Sequence, residues 1–247
     1  MEQLAGGQQT VGPRFVPEAD VEALIFDFDG TLVDSMPLFY PAWPIACRRH
    51  GLPEMTEDEF YGFAGVPMPT IVEQIYANHH GAGARPGEAY VAAFLATQLA
   101  AADEVEARRG HPGRIECVIA LAQAALARGL PVAVATSGLK GVVLGHLREA
   151  GLDGMFSDAR GNLVVAADVP AGKPAPDIYL EAARRLGVDP TRCRAYEDGE
   201  FGLVAAHAAG MHVVDVTGMD GYPMPRGLKR AKAAQVAART WLSSASL

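Results

Sequence analysis

Cysteine, lysine and long apolar runs are all scarce in this chain of 247 residues. Its three cysteines, Cys47, Cys117 and Cys193, are widely separated and form no CxxC pair, so we expect buried thiols in a reducing, cytoplasmic setting. No stretch approaches the roughly 20 apolar residues that span a membrane. Residues 1–20 also contain no apolar run of signal-peptide length. These absences disfavour a secreted or membrane-inserted protein.

Several familiar motifs are missing as well. The chain has no GxSxG, the mark of many serine hydrolases. The segment Gly81-Ala-Gly83 is not a complete GxGxxG and follows no predicted strand, which argues against nucleotide binding there. The adjacent His79 and His80 have no cysteine or carboxylate at zinc-ligand spacing, so we interpret them as exposed loop histidines.

The charge balance is acidic, with a formal net charge of −8. Nucleic acids and anionic membranes are bound by basic faces, so we expect neither as a partner. An acidic protein that binds phosphate would need a local source of positive charge, for which a metal ion is the natural candidate. Lysine is scarce, with only four residues, at positions 140, 173, 229 and 232, against 17 arginines.

The pattern of apolar residues predicts an α/β fold. The apolar segment 22–27 indicates a buried strand that ends at the turn Asp29-Gly30. After residue 112, helices are predicted at 114–128, 139–150, 175–186 and 200–209, and strands at 131–135, 163–167 (strand or hairpin), 193–196 and 212–216. This alternation is typical of a Rossmann-like, doubly wound parallel sheet with helices on both faces.

The residues between the first strand and this alternating region show a helical pattern. Helices are predicted at 37–50, 69–78 and 88–107, and Thr56 with Glu59 has the spacing of a capping box that opens a short helix. We therefore predict an N-terminal extension (1–20), a catalytic core (21–36 and 112–218), an inserted α-helical cap (37–111) and a C-terminal tail (219–247). The basic helix expected at 228–242 either docks on the core or is partly mobile; contact with a membrane or partner is the alternative.

Reactive side chains cluster where the predicted strands end, and open α/β sheets bind ligands beyond those ends. They are Asp27 and Asp29 after the first strand, Thr136 and Ser137 after the second, Glu197 and Asp198 after a later one, and Lys173 in a loop that precedes a helix. Carboxylates that converge in this way would repel one another unless a hard cation joined them, and Mg²⁺ prefers such oxygen ligands.

Phosphoryl transfer is the chemistry that this set favours, because it needs positioning and compensating positive charge. Asp27 could bind Mg²⁺ through one oxygen and attack phosphorus with the other, forming a covalent intermediate. Asp29 could protonate the leaving oxygen and then activate water. Glu197 and Asp198 would complete the metal shell, although a purely structural role for Glu197 stays open.

The phosphate itself should contact a second group of residues. The Thr136 hydroxyl and the backbone N–H groups of Ser137 and Gly138 could donate to phosphate oxygens, and Lys173 could neutralise their charge. Capping of the next helix is an alternative or additional role for Thr136 and Ser137. Asp34 is better explained as a turn residue or helix start than as a ligand.

Four ordered segments resemble the motifs of the haloacid dehalogenase (HAD) superfamily over roughly residues 21–217. They are Asp27-Phe-Asp-Gly-Thr31, Thr136-Ser-Gly138, Gly172-Lys-Pro-Ala-Pro-Asp177 and Glu197-Asp-Gly-Glu-Phe-Gly202. The helical insertion resembles the C1-type cap of that superfamily. The resemblance implies a Mg²⁺-dependent phosphatase with Asp27 as nucleophile, Asp29 as acid/base, Thr136 and Lys173 as phosphate ligands and Asp198 as metal ligand.

The same resemblance refines two further points. It implies that Asp29 binds the metal through its backbone carbonyl, and it adds Gly30 to the phosphate-binding residues. Many relatives carry Glu-Asp-Ser in the fourth motif, whereas Gly199 and Glu200 follow Asp198 here. This form is similar to a branch of bacterial sugar-phosphate phosphatases that act on fructose 1-phosphate-like substrates.

A phosphomutase of the β-phosphoglucomutase type is the nearest alternative. Such an enzyme holds a second phosphate with an arginine and a lysine of the cap, but there is no lysine between residues 36 and 113. Pro67-Met68 stands where those relatives carry Ser-Arg, Phe39 where they tend to have histidine, and Thr31 where they have valine. A receiver-like phospho-acceptor module, a dehalogenase and a non-catalytic member of the superfamily are more remote alternatives.

The substrate is expected to be a small phosphorylated metabolite, bound by a monomer or weak dimer. Specificity should reside in two cap segments, 39–43 and 62–69, the second of which has the Gly/Pro content of a substrate-facing loop. The apolar character of Phe39, Phe63 and Met68 predicts a sugar or polyol phosphate rather than a bisphosphate.

Overall fold

A five-stranded parallel sheet forms the centre of the protein, whose structure is a computed structural model describing residues 20–63 and 66–224. The strands are β1 (Ala23–Phe26), β4 (Val132–Thr136), β5 (Leu163–Val165), β6 (Cys193–Glu197) and β7 (His212–Asp215). Their order in the sheet is β5-β4-β1-β6-β7. The first strand of the chain therefore lies in the middle, so the parallel sheet is complete only when the segment before the helical insertion joins the segment after it.

Helices cover both faces of the sheet. Leu24 and Phe26 of β1 pack on one side with α6 (Glu116–Ala127) and α7 (Lys140–Glu149). Ala23 and Ile25 point to the other side, toward α8 (Asp177–Leu186) and α9 (Glu200–Ala208). Because side chains alternate along a strand, a strand that is apolar at every position is buried on both faces. The predicted Rossmann-like, doubly wound core is confirmed.

Five helices form the insertion between β1 and β4. They are α1 (Met36–Phe39), α2 (Ala42–Arg49), α3 (Glu57–Gly62), α4 (Met68–His80) and α5 (Glu88–Arg109). They share a core of their own, centred on Trp43, Phe60, Val72 and Phe94. The predicted capping box is present, since Thr56 accepts from the Glu59 N–H while Glu59 accepts from the Thr56 N–H. The inserted helical cap is thus confirmed, while its residue boundaries stay a prediction.

Two local predictions need correction, and one open alternative is decided. The single helix predicted at 37–50 is two helices, α1 and α2, because Pro41 has no N–H to continue the ladder and instead starts the second helix. At 163–167, predicted as a strand or a hairpin, the strand is confirmed, since β5 pairs in parallel with β4. His79 and His80 are exposed, as predicted, but they lie in the last turn of α4 rather than in a loop.

A short antiparallel pair, unpredicted from the sequence, connects the insertion to the sheet. Strand β2 (Val33–Asp34) pairs with β3 (Gly113–Arg114), so the two chain segments that enter and leave the insertion lie side by side. Two-residue strands carry too little periodicity to be read from sequence. Within the ranges 20–63 and 66–224, no helix is long and apolar enough to cross a membrane. The tail helix predicted at 228–242 lies outside the described residues.

Candidate active site

The parallel pairing of β1 with β6 brings the first and last reactive segments together. Phe26 stands opposite Tyr196 in the register, so Asp27 and Glu197 leave the sheet at the same edge. Asp27, Glu197 and Asp198 each offer a carboxylate oxygen, and these atoms lie within 4.8 Å of one another. All three residues are buried. Three buried carboxylates at this spacing form the oxygen-rich donor set that a hard divalent cation prefers.

The pKa of Asp27 shows that this arrangement disfavours its ionised form. Burial raises the pKa of Asp27 well above its usual range, the charge of Glu197 raises it further, and Lys173 opposes both. Desolvation and like charges both disfavour an ionised carboxylate. A cation bound beside Asp27 and Asp198 would relieve this cost, so the residues present fit a Mg²⁺ site.

Lys173 lies between two of the carboxylates. Its Nζ is 2.6 Å from Asp27 Oδ1 and 2.6 Å from Glu197 Oε1, in a buried environment. Burial alone would lower the pKa of Lys173, but the charges of Asp27 and Glu197 outweigh it and raise the pKa. The ammonium group is therefore held charged beside the Asp27 oxygen, where it can neutralise a phosphoryl group.

Glu197 is occupied by hydrogen bonds on both oxygens. Oε1 accepts from Lys173 and, at 2.8 Å, from the Tyr179 hydroxyl, whereas Oε2 accepts from the backbone N–H groups of Asp198 and Gly199. Helix α9 approaches so closely that a Cβ at Gly202 would lie 1.7 Å from Oε1. This environment favours the structural interpretation of Glu197, as a residue that positions Lys173 and the turn after β6.

Tyr179 was missed by the sequence reasoning. Its ring is completely buried, and burial together with the charge of Glu197 raises the pKa of its hydroxyl well above the ordinary value. The available signal was its place on the buried stripe of α8, six residues after Lys173. A tyrosine on such a stripe needs a hydrogen-bond partner, and a nearby strand-end carboxylate is a natural one.

Asp29 lies apart from the three clustered carboxylates. Burial raises the pKa of Asp29, while the nearby Ser35 hydroxyl and the His146 and Lys173 side chains pull it down less strongly. Its Oδ1 is buried and has no hydrogen-bond partner among the described residues. A carboxyl group with a raised pKa and an unpaired oxygen is suited to delivering a proton to a neighbouring atom.

The predicted phosphate-binding residues gather around Asp29. Thr136 Oγ1 accepts from the Gly138 N–H at 3.0 Å, and a Cβ added to Gly138 would lie 3.2 Å from Asp29 Oδ2. Gly30 has φ +84°, and a Cβ there would lie 2.3 Å from Asp198 Oδ2, so only glycine fits. Ser137 is exposed beside them. The structure thus brings every predicted site residue to one edge of the sheet.

A cavity of about 220 Å³ extends from this edge to the inserted helices. The core contributes Asp29, Ser137 and Gly138 to its wall. Both predicted specificity segments contribute as well, with Phe39 and Trp43 from the first and Phe63, Val66 and Met68 from the second. The sequence reasoning missed the side chains of α3 and α5 that complete the wall: Phe60, Tyr61, Gln98, Leu99 and Ala102.

One residue of the predicted tail also reaches the site. The Tyr222 hydroxyl donates to the Gly30 carbonyl at 2.7 Å, and the ring packs against the cores of both the sheet and the insertion. The turn-rich sequence around Gly221-Tyr-Pro gave no indication of this contact, because it joins positions 192 residues apart.

Known proteins resemble this chain over most of its length. A model of the family described as haloacid dehalogenase-like hydrolase matches residues 21–210. Hexitol phosphatase A of Escherichia coli (strain K12) is 36% identical over 197 residues, which cover 79% of this chain and 82% of that protein. The fructose-1-phosphate phosphatase YqaB of the same organism is 33% identical over 199 residues, covering 78% and 95%.

Solved structures agree with the fold. A putative β-phosphoglucomutase from Bacteroides vulgatus superposes with a TM-score of 0.69 over 86% of this chain and 81% of its own, at 23% sequence identity. At that identity the likeness shows a shared fold, with the same architecture of sheet and inserted helices.

Proposed function

The chain belongs to the family of haloacid dehalogenase-like hydrolases and is a phosphatase, and we propose that it hydrolyses sugar or polyol phosphates through a phosphoaspartate at Asp27. One observation carries the proposal. Asp27 lies against Lys173 in a buried carboxylate cluster, and Asp29, two residues further along the chain, lines the cavity beneath the inserted helices.

Transfer begins with an attack of an Asp27 carboxylate oxygen on phosphorus. The new Asp27–phosphorus bond forms as the bond from phosphorus to the substrate oxygen breaks, and Asp29 donates its proton to that departing oxygen. Lys173 and the Thr136 hydroxyl stabilise the negative charge on the phosphoryl oxygens. Asp29 then takes a proton from water, which attacks phosphorus and releases inorganic phosphate while restoring Asp27.

Mg²⁺ is part of the proposal. Asp27, Asp198 and the backbone carbonyl of Asp29 would hold the ion, with Glu197 supporting the site through Lys173 and the neighbouring N–H groups. When bound, Mg²⁺ supplies positive charge that offsets the carboxylates and the phosphate. Gly30 serves this arrangement by leaving room for the Asp198 carboxylate.

The leaving group is proposed to be small and uncharged. Among the described residues that line the cavity, Asp29 is the only one with a charged side chain, and aromatic and aliphatic groups form most of the wall. A phosphomutase would need cationic side chains in this cavity to hold a second phosphate. The apolar wall therefore favours hydrolysis over the phosphomutase reaction. The named relatives act on hexitol phosphates and fructose 1-phosphate, which supports the same substrate class for this chain. A cytoplasmic location and a monomeric or weakly dimeric state remain part of the proposal.

The direct test is phosphate release from a panel containing a hexitol phosphate, fructose 1-phosphate and β-glucose 1-phosphate with its bisphosphate activator. We expect Mg²⁺-dependent release that EDTA abolishes and added Mg²⁺ restores, and no glucose 6-phosphate from the third substrate. Turnover that persists in EDTA would contradict the metal, and glucose 6-phosphate formation would establish the mutase instead.

A further inference from the structure

The buried stripe of helix α5 contains a polar residue in an apolar setting. The buried residues of this 22-residue helix are Phe94, Gln98, Ala101 and Val105, spaced as one face that packs into the protein. Gln98 is 3% exposed. A glutamine on such a face needs partners for its amide, because burying an unpaired polar group is costly.

The Gln98 amide lacks one of those partners. Its Oε1 is buried and accepts no hydrogen bond from any described residue. Gln98 lines the same cavity of about 220 Å³ as Asp29 and Ser137. The wall beside it is apolar, including Leu99 and Ala102 of the same helix. The amide therefore holds an unused acceptor at the wall of a cavity that has few other polar groups.

We propose that Gln98 recognises a hydroxyl group of the departing alcohol. This inference rests on the proposed phosphatase function and names the feature of the substrate that the cap selects. With Asp29 next to the breaking bond, the rest of the leaving group must occupy the cavity that Gln98 lines. An alcohol hydroxyl can donate to Oε1 and so satisfy it. An alkyl chain in the same place would leave Oε1 unpaired, which is how a buried polar group rejects a substrate that lacks its partner.

The recognised class is therefore a phosphorylated polyol or sugar that presents one hydroxyl to Gln98 and carbon-rich faces to the aromatic wall. Phe39, Trp43 and Phe63 bury those faces without discriminating strongly between substrates, since apolar contact tolerates additional or missing groups. Discrimination then depends on the few polar groups of the cavity wall, among which Gln98 is buried and belongs to an inserted helix.

The experiment compares two substrates of equal carbon number, a hexitol phosphate and n-hexyl phosphate, in wild type and in Gln98→Met. Methionine keeps the length of the side chain and removes its hydrogen-bonding groups. The quantity measured is the ratio of kcat/KM for the hexitol phosphate to kcat/KM for hexyl phosphate. We expect Gln98→Met to lower this ratio by about tenfold or more. Gln98→Asn, which retains an amide, should recover part of it.

Gln74→Met is the matched control, because it makes the same change at an exposed position of cap helix α4; its ratio should equal that of wild type. The melting temperature of Gln98→Met without substrate should match or exceed that of wild type, because an unpaired buried amide has been removed. The assignment of Gln98 would be overturned by an unchanged ratio, which includes the case of an equal loss on both substrates. A clear fall in melting temperature would overturn it as well. Absence of phosphate release by the wild-type protein from every sugar and polyol phosphate of the panel described above would instead overturn the proposed function itself.

Discussion

The strand-end cluster and the cavity beneath the inserted helices differ sharply in how their polar groups are satisfied. In the cluster, Lys173 contacts two carboxylates at 2.6 Å, and Glu197 accepts four hydrogen bonds. In the cavity, Gln98 Oε1 and Asp29 Oδ1 have no partner among the described residues. The first region is complete in itself except for a cation, while the second retains capacity for a ligand.

This contrast fits the different tasks that we propose for the two regions. Charge that develops during phosphoryl transfer is stabilised best by groups already fixed in place, because they need no reorganisation. Substrate selection instead requires groups that are satisfied only when the substrate is present. Helices α1 to α5 supply most of the selecting wall, and the ends of β1, β4 and β6 supply the fixed groups.

The largest expected effect comes from Asp27→Asn, which breaks the cluster at its reactive atom. An amide cannot attack phosphorus, so turnover should fall by at least about a thousandfold. Steady-state phosphate release measures this loss. Residual activity within about tenfold of wild type would refute Asp27 as nucleophile.

Stability provides the control for that variant. Burial and the charge of Glu197 make ionised Asp27 costly in the metal-free fold, whereas its ion pair with Lys173 offsets part of that cost. Asn removes both contributions, so in EDTA the Asp27→Asn variant should still unfold in one cooperative thermal transition. Loss of that transition would show that the loss of activity reflects damage to the fold.

Tyr179→Phe should have an intermediate effect, because it removes one of the four hydrogen bonds to Glu197. Hydrogen bonds to charged groups contribute about 1.5–3 kcal/mol, so we expect a loss of this order in the free energy of unfolding and a smaller loss in kcat. Denaturant titration measures it. Tyr90→Phe is the control, since that hydroxyl makes only a long 3.5 Å contact with the His50 carbonyl. Equal losses in the two variants would show that Glu197 does not depend on Tyr179.

The smallest effect is expected at a contact between the inserted helices and the core. Glu106 of α5 lies 3.2 Å from His146 of α7 and 2.6 Å from His111, and so connects the insertion to the core. Partial burial would raise the pKa of Glu106, but the hydrogen bonds with the two histidines outweigh it and lower the pKa. Glu106→Gln should lower the free energy of unfolding at neutral pH by no more than about 1 kcal/mol.

The pH dependence gives this last prediction its sign. A carboxylate whose pKa is lower in the folded than in the unfolded protein stabilises the fold fully when the pH is above its ordinary pKa of 4.5. This stabilisation is lost as the pH falls through the pKa of the folded state. The difference between wild type and Glu106→Gln should therefore shrink in acid. Glu104→Gln, on the exposed side of the same helix, should show little difference at any pH. A difference that grows in acid would contradict the assignment.

Residues close in sequence account for most of what could be predicted. The apolar strand before Asp27, the capping box at Thr56 and the alternation after residue 112 are local patterns, and the structure contains all three. Predictions failed where one residue or a distant partner decided the outcome. Pro41 divides a helix that the apolar pattern alone would continue, and the two-residue strands β2 and β3 form only because the ends of the insertion meet.

The sequence by itself determined the fold class and the set of candidate reactive residues, because strand ends in a parallel sheet converge and carboxylates with one lysine suit few chemistries. Tertiary structure alone decided that Tyr179 and Gly202 enclose Glu197, that Tyr222 reaches Gly30 and that Gln98 faces the cavity. Each of these contacts joins segments whose separation is set by packing. Local periodicity records which side of an element is buried, but not which partner it meets there.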